Sequence, residues 1–435
     1  MVAFLPPPAS PALTAPPPLP RLTVLYPQST EAGGAIEEYA CRLASRLCSK
    51  FRVRLVTPAG GRTPTPDPVG VGSDAIVHLP VRELFRGRIL LRRDAWKTLH
   101  AAVLDSDMVH LHMPFPIVER WVARWTRRVG VPMAITYHAE TVADGAWGRT
   151  VGRIVTRGYR ALSAHPALRS AEAIVASSAG YAGGSPVLAR YFAKITVVRK
   201  GVDLERLQVD PGVARVASRV EPARGLLPES QPGERRVLFV GTLSERKGLP
   251  ELLWATALLL KTGLPVRTYI AGWGPAEGRL KRLTASMGLG DRVRFLGPIP
   301  DDRLGELYRA ADVVTSPCTV RLAPTPVSLE EAVACGTPIV GSALPGNDEA
   351  LPNDGVHGTL VPAGNVPALA QALRRHLLLP RPHWKLSLRT WDDTARDYAE
   401  LFDRLRFELR LATALHLPRA PSAAGPALPR AFKVH

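Results

Sequence analysis

Four cysteines in 435 residues are too few for a disulfide framework. Cys41, Cys48, Cys318 and Cys335 contain no CxxC pair and fit no metal-ligand spacing. Each sits in an apolar helix or strand pattern, so they read as buried thiols in a reducing cytoplasm. No uninterrupted run of 18 apolar residues occurs, which argues against a spanning helix. Acidic residues are scarce beside basic ones, 38 against 56, leaving a formal charge of +18. Such an excess attracts phosphates, nucleic acid or an anionic membrane face. Lys and Arg are scattered rather than blocked, however, and no zinc-finger or RNP signature accompanies them. Nucleic acid is therefore not an expected partner. A peripheral contact with the inner, anionic membrane face stays open.

The apolar fraction of 46% supplies sizeable cores, and the length calls for two or more domains. Residues 1–20 are Pro-rich and lack both a basic n-region and an apolar h-region. They read as a stiff, disordered leader rather than a signal peptide. Residues 22–26 (LTVLY) read as a strand, followed by a turn with Gly33 and Gly34 and a helix whose apolar side is Ala40, Leu43, Ala44 and Leu47. Strands follow at 51–57, 108–112, 133–137, 173–176 and 195–198, making 21–203 one Rossmann-like α/β domain. His110 and His112 lie on one strand and could face opposite sides. His138 lies past a strand's carboxyl end, where open α/β sheets place their chemistry. Asp105-Ser106-Asp107 has the look of a metal-binding DxD but precedes its strand, so it reads as surface, and no metal is expected.

Residues 204–235 lose periodicity and gather Pro, Gly and charge, the mark of a linker. A second α/β series over 236–385 begins with VLFVGT and ends with GTLVPA and a helix. Its DDRLGELYRAA helix is expected to be capped by Asp301 or Asp302. A long amphipathic helix fills 386–417, and 418–435 is a Pro/Ala-rich, disordered tail. Two doubly wound domains joined by a linker leave a cleft between their facing strand ends, the usual small-molecule site.

The most informative stretch is 319–340, TVRLAPTPVSLEEAVACGTPIV, read as loop, helix of about three turns, tight turn and strand. Pro326 opens the helix, and Gly336 with Pro338 ends it. The free N–H groups of the Thr325–Ser328 end suit a phosphate, and Glu331, one turn in, can bond a sugar or ribose hydroxyl beside it. Lys247, after the first strand of this domain, can reach an anion at the same edge, with Arg246 beside it. Gly272 and Gly274 open a second loop there. A semicircle of donors with one carboxylate suits a nucleotide sugar.

FVGTLSERKG (239–248), AGWGP (271–275), DRVRFLG (291–297), LYRAADVVTSP (307–317), EAVACGTPIVGS (331–342) and HGTLVP (357–362) resemble the retaining glycosyltransferases of the GT-B fold, family four, over about 21–410. The resemblance implies donor binding by the second domain and acceptor binding by the first. Lys247 would neutralise the diphosphate, Glu331 would hold the ribose, and His138 would sit near the transferred sugar. Gly33 and Gly34 would lie near the phosphates. Thr242, Arg246, Gly272, Gly274, Val293, Phe295, Pro326, Val327 and Ser328 complete the implied donor site. The donor would be a UDP- or GDP-sugar, used without a metal or other cofactor. The acceptor would be a small molecule or a lipid-linked one. Stabilising charge on the departing phosphate is the main duty, worth on the order of 3 kcal/mol per preorganised donor.

Three positions depart from the family. Ala323 stands where it carries a Glu that contacts the sugar hydroxyls, Thr242 where an Arg is usual, and Lys200 where an Asn precedes GVD. The altered donor site favours a specialised-metabolite acceptor with an unusual donor sugar. Envelope glycolipid or polysaccharide synthesis at the membrane surface is the alternative, and a catalytically weakened binding subunit the rival class.

Overall fold

A computed structural model describes residues 18–27, 35–59, 75–84, 88–138, 148–209, 227, 233–320, 325–381 and 389–415. Gly33, Gly34, Ala323, the tail from 418, and most of the leader and linker lie outside the described residues.

The first domain carries β1 (Arg21–Leu25), β2 (Arg52–Pro58), β3 (Ile76–Leu79), a hairpin of β4 (Val81–Leu84) and β5 (Arg88–Leu91), then β6 (Met108–Met113), β7 (Met133–Tyr137), β8 (Ala173–Ala176) and β9 (Ile195–Val197). Apart from the antiparallel hairpin, these form one parallel sheet in the order β3-β2-β1-β6-β7-β8-β9. The second domain carries β10 (Arg235–Val240), β11 (Val266–Ala271), β12 (Val293–Gly297), β13 (Val313–Ser316), β14 (Ile339–Ser342) and β15 (Gly358–Val361). Its sheet runs β12-β11-β10-β13-β14-β15, again parallel. Parallel strands need crossover helices, which cover both faces and leave the strands apolar end to end. β6 (MVHLHM) is wholly buried in this way, with His110 and His112 as its two polar members.

The order reverses between β1 and β6 in one sheet and between β10 and β13 in the other. At such a switch point neighbouring loops leave in opposite directions and open a crevice beyond the carboxyl edge. The helix Trp391–Ala414 starts at a capping box between Thr390 and Asp393 and buries Trp391, Tyr398, Phe402 and Leu405 against Leu22, Tyr39 and Phe51 of the first domain. Leu207, Val209 and Leu227 join the core of the second.

Several local expectations need correcting. His110 and His112 share one face of β6, with ring centroids 4.3 Å apart, because residues two apart on a strand point the same way. The helix at the centre of the 319–340 stretch is shorter than read, Val327–Ala334, since Cys335 already leaves helical geometry before Gly336. Neither Asp301 nor Asp302 caps the helix Leu304–Ala310; a 3₁₀ turn precedes it, and Asp301 instead pairs with Arg206 at 3.3 Å. All four cysteines are free, three of them buried. In the DxD stretch, Asp105 is paired with Arg21 and Arg54, and Asp107 accepts from the Arg21 backbone N–H at 2.8 Å.

Candidate active site

In the second domain the loops after β10, β11 and β13 leave adjacent strands at the switch point. The β10 loop ends in a 3₁₀ turn, Glu245–Lys247, which places the half-buried Lys247 side chain and exposed Arg246 at the carboxyl edge. The turn is tied down from the β13 side: the Arg246 carbonyl accepts from Thr319 N–H at 3.0 Å and from Cys318 Sγ at 3.0 Å. Thr242, in the same loop, is exposed. Gly272 and Gly274 have a structural reason to be glycine whether or not a ligand approaches. A Cβ on Gly272 (φ +125°) would lie 2.0 Å from the Gly241 carbonyl oxygen, and one on Gly274 2.4 Å from that of Leu243. The two loops thus stack backbone on backbone.

Pro326 is the N-cap residue of Val327–Ala334, with no side chain to satisfy the first N–H groups. Val327 and Ser328 are half-buried at that start, so a helix end with unfilled donors faces the crevice edge. Glu331 is buried on this helix. One carboxylate oxygen accepts from Tyr308 Oη at 2.7 Å, and the other is paired with Arg206. Arg206 and Tyr308 were not singled out in the sequence. Their signal was position alone: three residues past GVD for Arg206, and the helix before the β13 strand for Tyr308. Fixing both oxygens orients the carboxylate while leaving lone pairs for a ligand hydroxyl. Val293 does not belong to the site. It opens β12 at the amino end, buried in the core, because a parallel strand presents only its carboxyl end to the crevice. Phe295, in mid-strand, is half-buried with Lys281 Nζ 5.6 Å from its ring centroid.

Across the crevice His138 follows β7 directly, its N–H bonded to the Met113 carbonyl at 3.1 Å. Its Nε2 lies 2.8 Å from His112 Nδ1, and the two rings stack 5.1 Å apart. His112 Nε2 is buried without a partner. A bare lone pair there costs less than a stranded N–H, so His112 Nδ1–H is the donor and His138 Nε2 the acceptor. His138 therefore carries its proton on Nδ1. Behind this pair a chain runs from His110 Nε2 to Thr136 Oγ1 (2.7 Å), to Tyr398 Oη (2.7 Å) and to Tyr39 Oη (3.1 Å). Tyr39 also packs edge-on against His138 at 4.9 Å and Trp391 at 5.0 Å. Burial first, and the charge of Lys200 second, hold His138 at about 3; burial and His138 do the same for His110. Both imidazoles are neutral at pH 7.

The domains meet around Lys200. Its ammonium lies 5.4 Å from the Trp391 ring centroid, and burial pulls its pKa down. With Glu330, Arg199, Val202, Val333 and Arg389 it lines a cavity of about 400 Å³. Burial pushes the Glu330 carboxyl up to about 7 against the pull of Lys200 and Arg199. Glu349 of the second domain accepts from Ala179 N–H (2.9 Å) and Gly180 N–H (2.5 Å) of the first, and its carbonyl from Arg199 at 2.7 Å. Lys247, the Val327 helix start and Glu331 thus stand on one side of a crevice, and neutral His138 stands on the other.

Two family models match the chain: Glycosyl transferases group 1 over residues 228–391, and Glycosyltransferase Family 4 over 32–206. A D-inositol 3-phosphate glycosyltransferase of Frankia alni is 33% identical over 298 residues, 65% of this chain and 68% of that protein. D-rhamnosyltransferase WbpZ of Pseudomonas aeruginosa is 29% identical over 280 residues, 64% of this chain; the match spans 66% of WbpZ, just under two thirds of its length. Among solved structures, Anabaena Alr3699/HepE in complex with UDP-glucose aligns with a TM-score of 0.58 at 17% identity, covering 91% of this chain and 100% of that one, a likeness of fold. With both halves matched in sequence and two parallel sheets in GT-B arrangement, the chain belongs to the group 1, family 4 glycosyltransferases.

Proposed function

We propose that the protein moves a sugar from a nucleoside-diphosphate sugar to an acceptor with retention of anomeric configuration, the second domain holding the donor and the first the acceptor. What supports the reading is that Lys247 follows β10 while the uncapped Val327 helix start and the oriented Glu331 carboxylate follow β13, its neighbour at the switch point. In this reading the diphosphate lies against the helix start with Lys247 over it and Arg246 beside it. The cations and the helix dipole carry the leaving-group charge, so no metal is required. Glu331 accepts from the ribose hydroxyls. His138, protonated on Nδ1 and uncharged, donates to a hydroxyl of the transferred sugar rather than acting as an acid. The acceptor attacks from the face the diphosphate leaves, its proton passing to a departing phosphate oxygen.

One relative's name, a D-inositol 3-phosphate glycosyltransferase, favours a phosphorylated polyol as acceptor, and the other's, a D-rhamnosyltransferase, names a rhamnosyl group as the sugar moved. A specialised-metabolite acceptor is the second reading, favoured by Ala323 and Thr242 at donor positions. Incubation with UDP-, GDP- and TDP-sugars, with NMR assignment of the product anomer, tests the proposal. One donor should turn over with retention, and Lys247→Ala should slow it by roughly 10²–10³-fold. Inversion, or full turnover by Lys247→Ala, would overturn it. Binding of a nucleotide sugar without turnover on any acceptor would identify a binding subunit instead.

A further inference from the structure

The positive charge has a place where it coincides with exposed apolar side chains. The helix Val118–Val129 (VERWVARWTRRV) buries Val118, Val122, Ala123 and Thr126 and turns Arg124, Arg127, Arg128 and Trp121 outward. It packs against the turn Arg160–Ala164 and the helix His165–Ser170, and the helix Gly148–Tyr159 leads into that turn, its Tyr159 Oη donating to Glu119 at 3.2 Å. The turn is stitched to Val118–Val129 by Ile117 N–H to Ser163 Oγ at 3.0 Å and by Arg120 Nη1 to the Leu162 carbonyl at 3.2 Å. On this joined surface Ile154 is 64% exposed, Leu162 62%, Ile117 52% and Trp121 42%. The sole acid among the described residues from 117 to 171 is Glu119, and it is buried, accepting from Phe115 N–H. No helix among the described residues is long and apolar enough to cross a membrane.

We propose that this face docks on an anionic lipid surface, with the arginines at the headgroups and Ile117, Trp121, Ile154 and Leu162 entering the acyl boundary. Charge complementarity selects the occupant. A uniformly basic face with aliphatic and Trp side chains at its centre meets both requirements of an anionic interface, whereas a polyanion such as nucleic acid would use only the arginines. A basic protein patch would be repelled. The face lies on the acceptor side, and its second helix begins ten residues after His138, so docking would bring a lipid-linked acceptor to the crevice mouth. Membrane docking does not depend on the sugar-transfer reading, and separate measurements test the two.

The experiment is sedimentation of the full chain with vesicles of phosphatidylglycerol and phosphatidylcholine, or of phosphatidylcholine alone, at low and high salt. Binding should require phosphatidylglycerol and fall at least tenfold at high salt. Arg124→Glu with Arg128→Glu should reduce it at least tenfold. Arg282→Glu with Arg374→Glu, the same charge change at exposed sites of the second domain, should reduce it less than threefold. Ile154→Ser with Leu162→Ser should weaken vesicle binding several-fold while leaving retention on heparin unchanged. No binding to anionic vesicles, equal loss from both charge pairs, or indifference to the two serines would overturn the proposal, the last pointing to a polyanion partner. UDP-induced thermal shift, measured in parallel on every variant, reports the donor crevice independently.

Discussion

The two domains share one topology and place opposite chemistry at the same point of it. At the β10/β13 switch the second domain shows charge: a lysine, an arginine, a helix start and a carboxylate pinned by Arg206. Beside the β1/β6 switch the first domain shows neutral rings, His110 and His112 buried and His138 half-buried, among tyrosines and a threonine. A parallel sheet fixes where loops gather but not what they carry. The charged half suits a diphosphate, and the neutral half suits uncharged hydroxyls.

The sharpest break in this contrast is Arg206→Ala. It strands a buried Glu331 carboxylate and should cost about 3–5 kcal/mol, read as a lowered thermal midpoint and denaturant midpoint. An unchanged midpoint would mean that Glu331 is solvated. Next comes Lys247→Ala, half-exposed on a surface turn. It should leave the midpoint within about 1 °C yet cut kcat by roughly 10²–10³-fold with the cognate donor. A stability loss without a rate loss would reverse its assignment.

The neutral half should be the acid-sensitive one. His110 and His138 titrate at about 3 when folded, against an ordinary value of 6.5 that applies once unfolded. Between these values the unfolded chain binds the additional protons. Stability is therefore full above about pH 6.5 and falls toward pH 3, by up to about 1.4 kcal/mol per pH unit for each independently titrating histidine. Urea titrations from pH 8 to 4 check this, and replacing His110 with Asn should flatten the curve. A flat wild-type curve would place these rings in water. The smallest effect is that of Tyr398→Phe, which removes the hydroxyl between Thr136 and Tyr39 and should cost about 1 kcal/mol. No measurable cost would mean that the chain of hydroxyls does not hold the rings.

Most of the frame was legible in the sequence because it rests on periodicity. The β-branched runs of the central strands and the Pro-to-Gly bracket around Val327–Ala334 are local signals. The region between 76 and 104 is not legible, since β3, β4 and β5 are only four residues each and β3 takes its register from β2 rather than from the hairpin that follows it. In the site, Lys247 and Glu331 could be picked from their motifs, but the residues that hold Glu331 could not. Arg206 and Tyr308 reach it over 125 and 23 positions, and no spacing rule encodes such contacts. The shared face of His110 and His112 is of another kind, since the period of two along a strand alone places both on one side of β6. Val293 was drawn in by its motif although its place at the amino end of β12 keeps it from the crevice.

The helix Trp391–Ala414 supplies an inner layer for a domain whose other pieces all precede residue 203. On the ribosome that layer emerges only after the whole second domain has been made, so the first half waits with Leu22, Tyr39 and Phe51 uncovered. The late-arriving segment ties completion of one lobe to synthesis of the other, and a cut between the lobes would leave the earlier one greasy and unfinished.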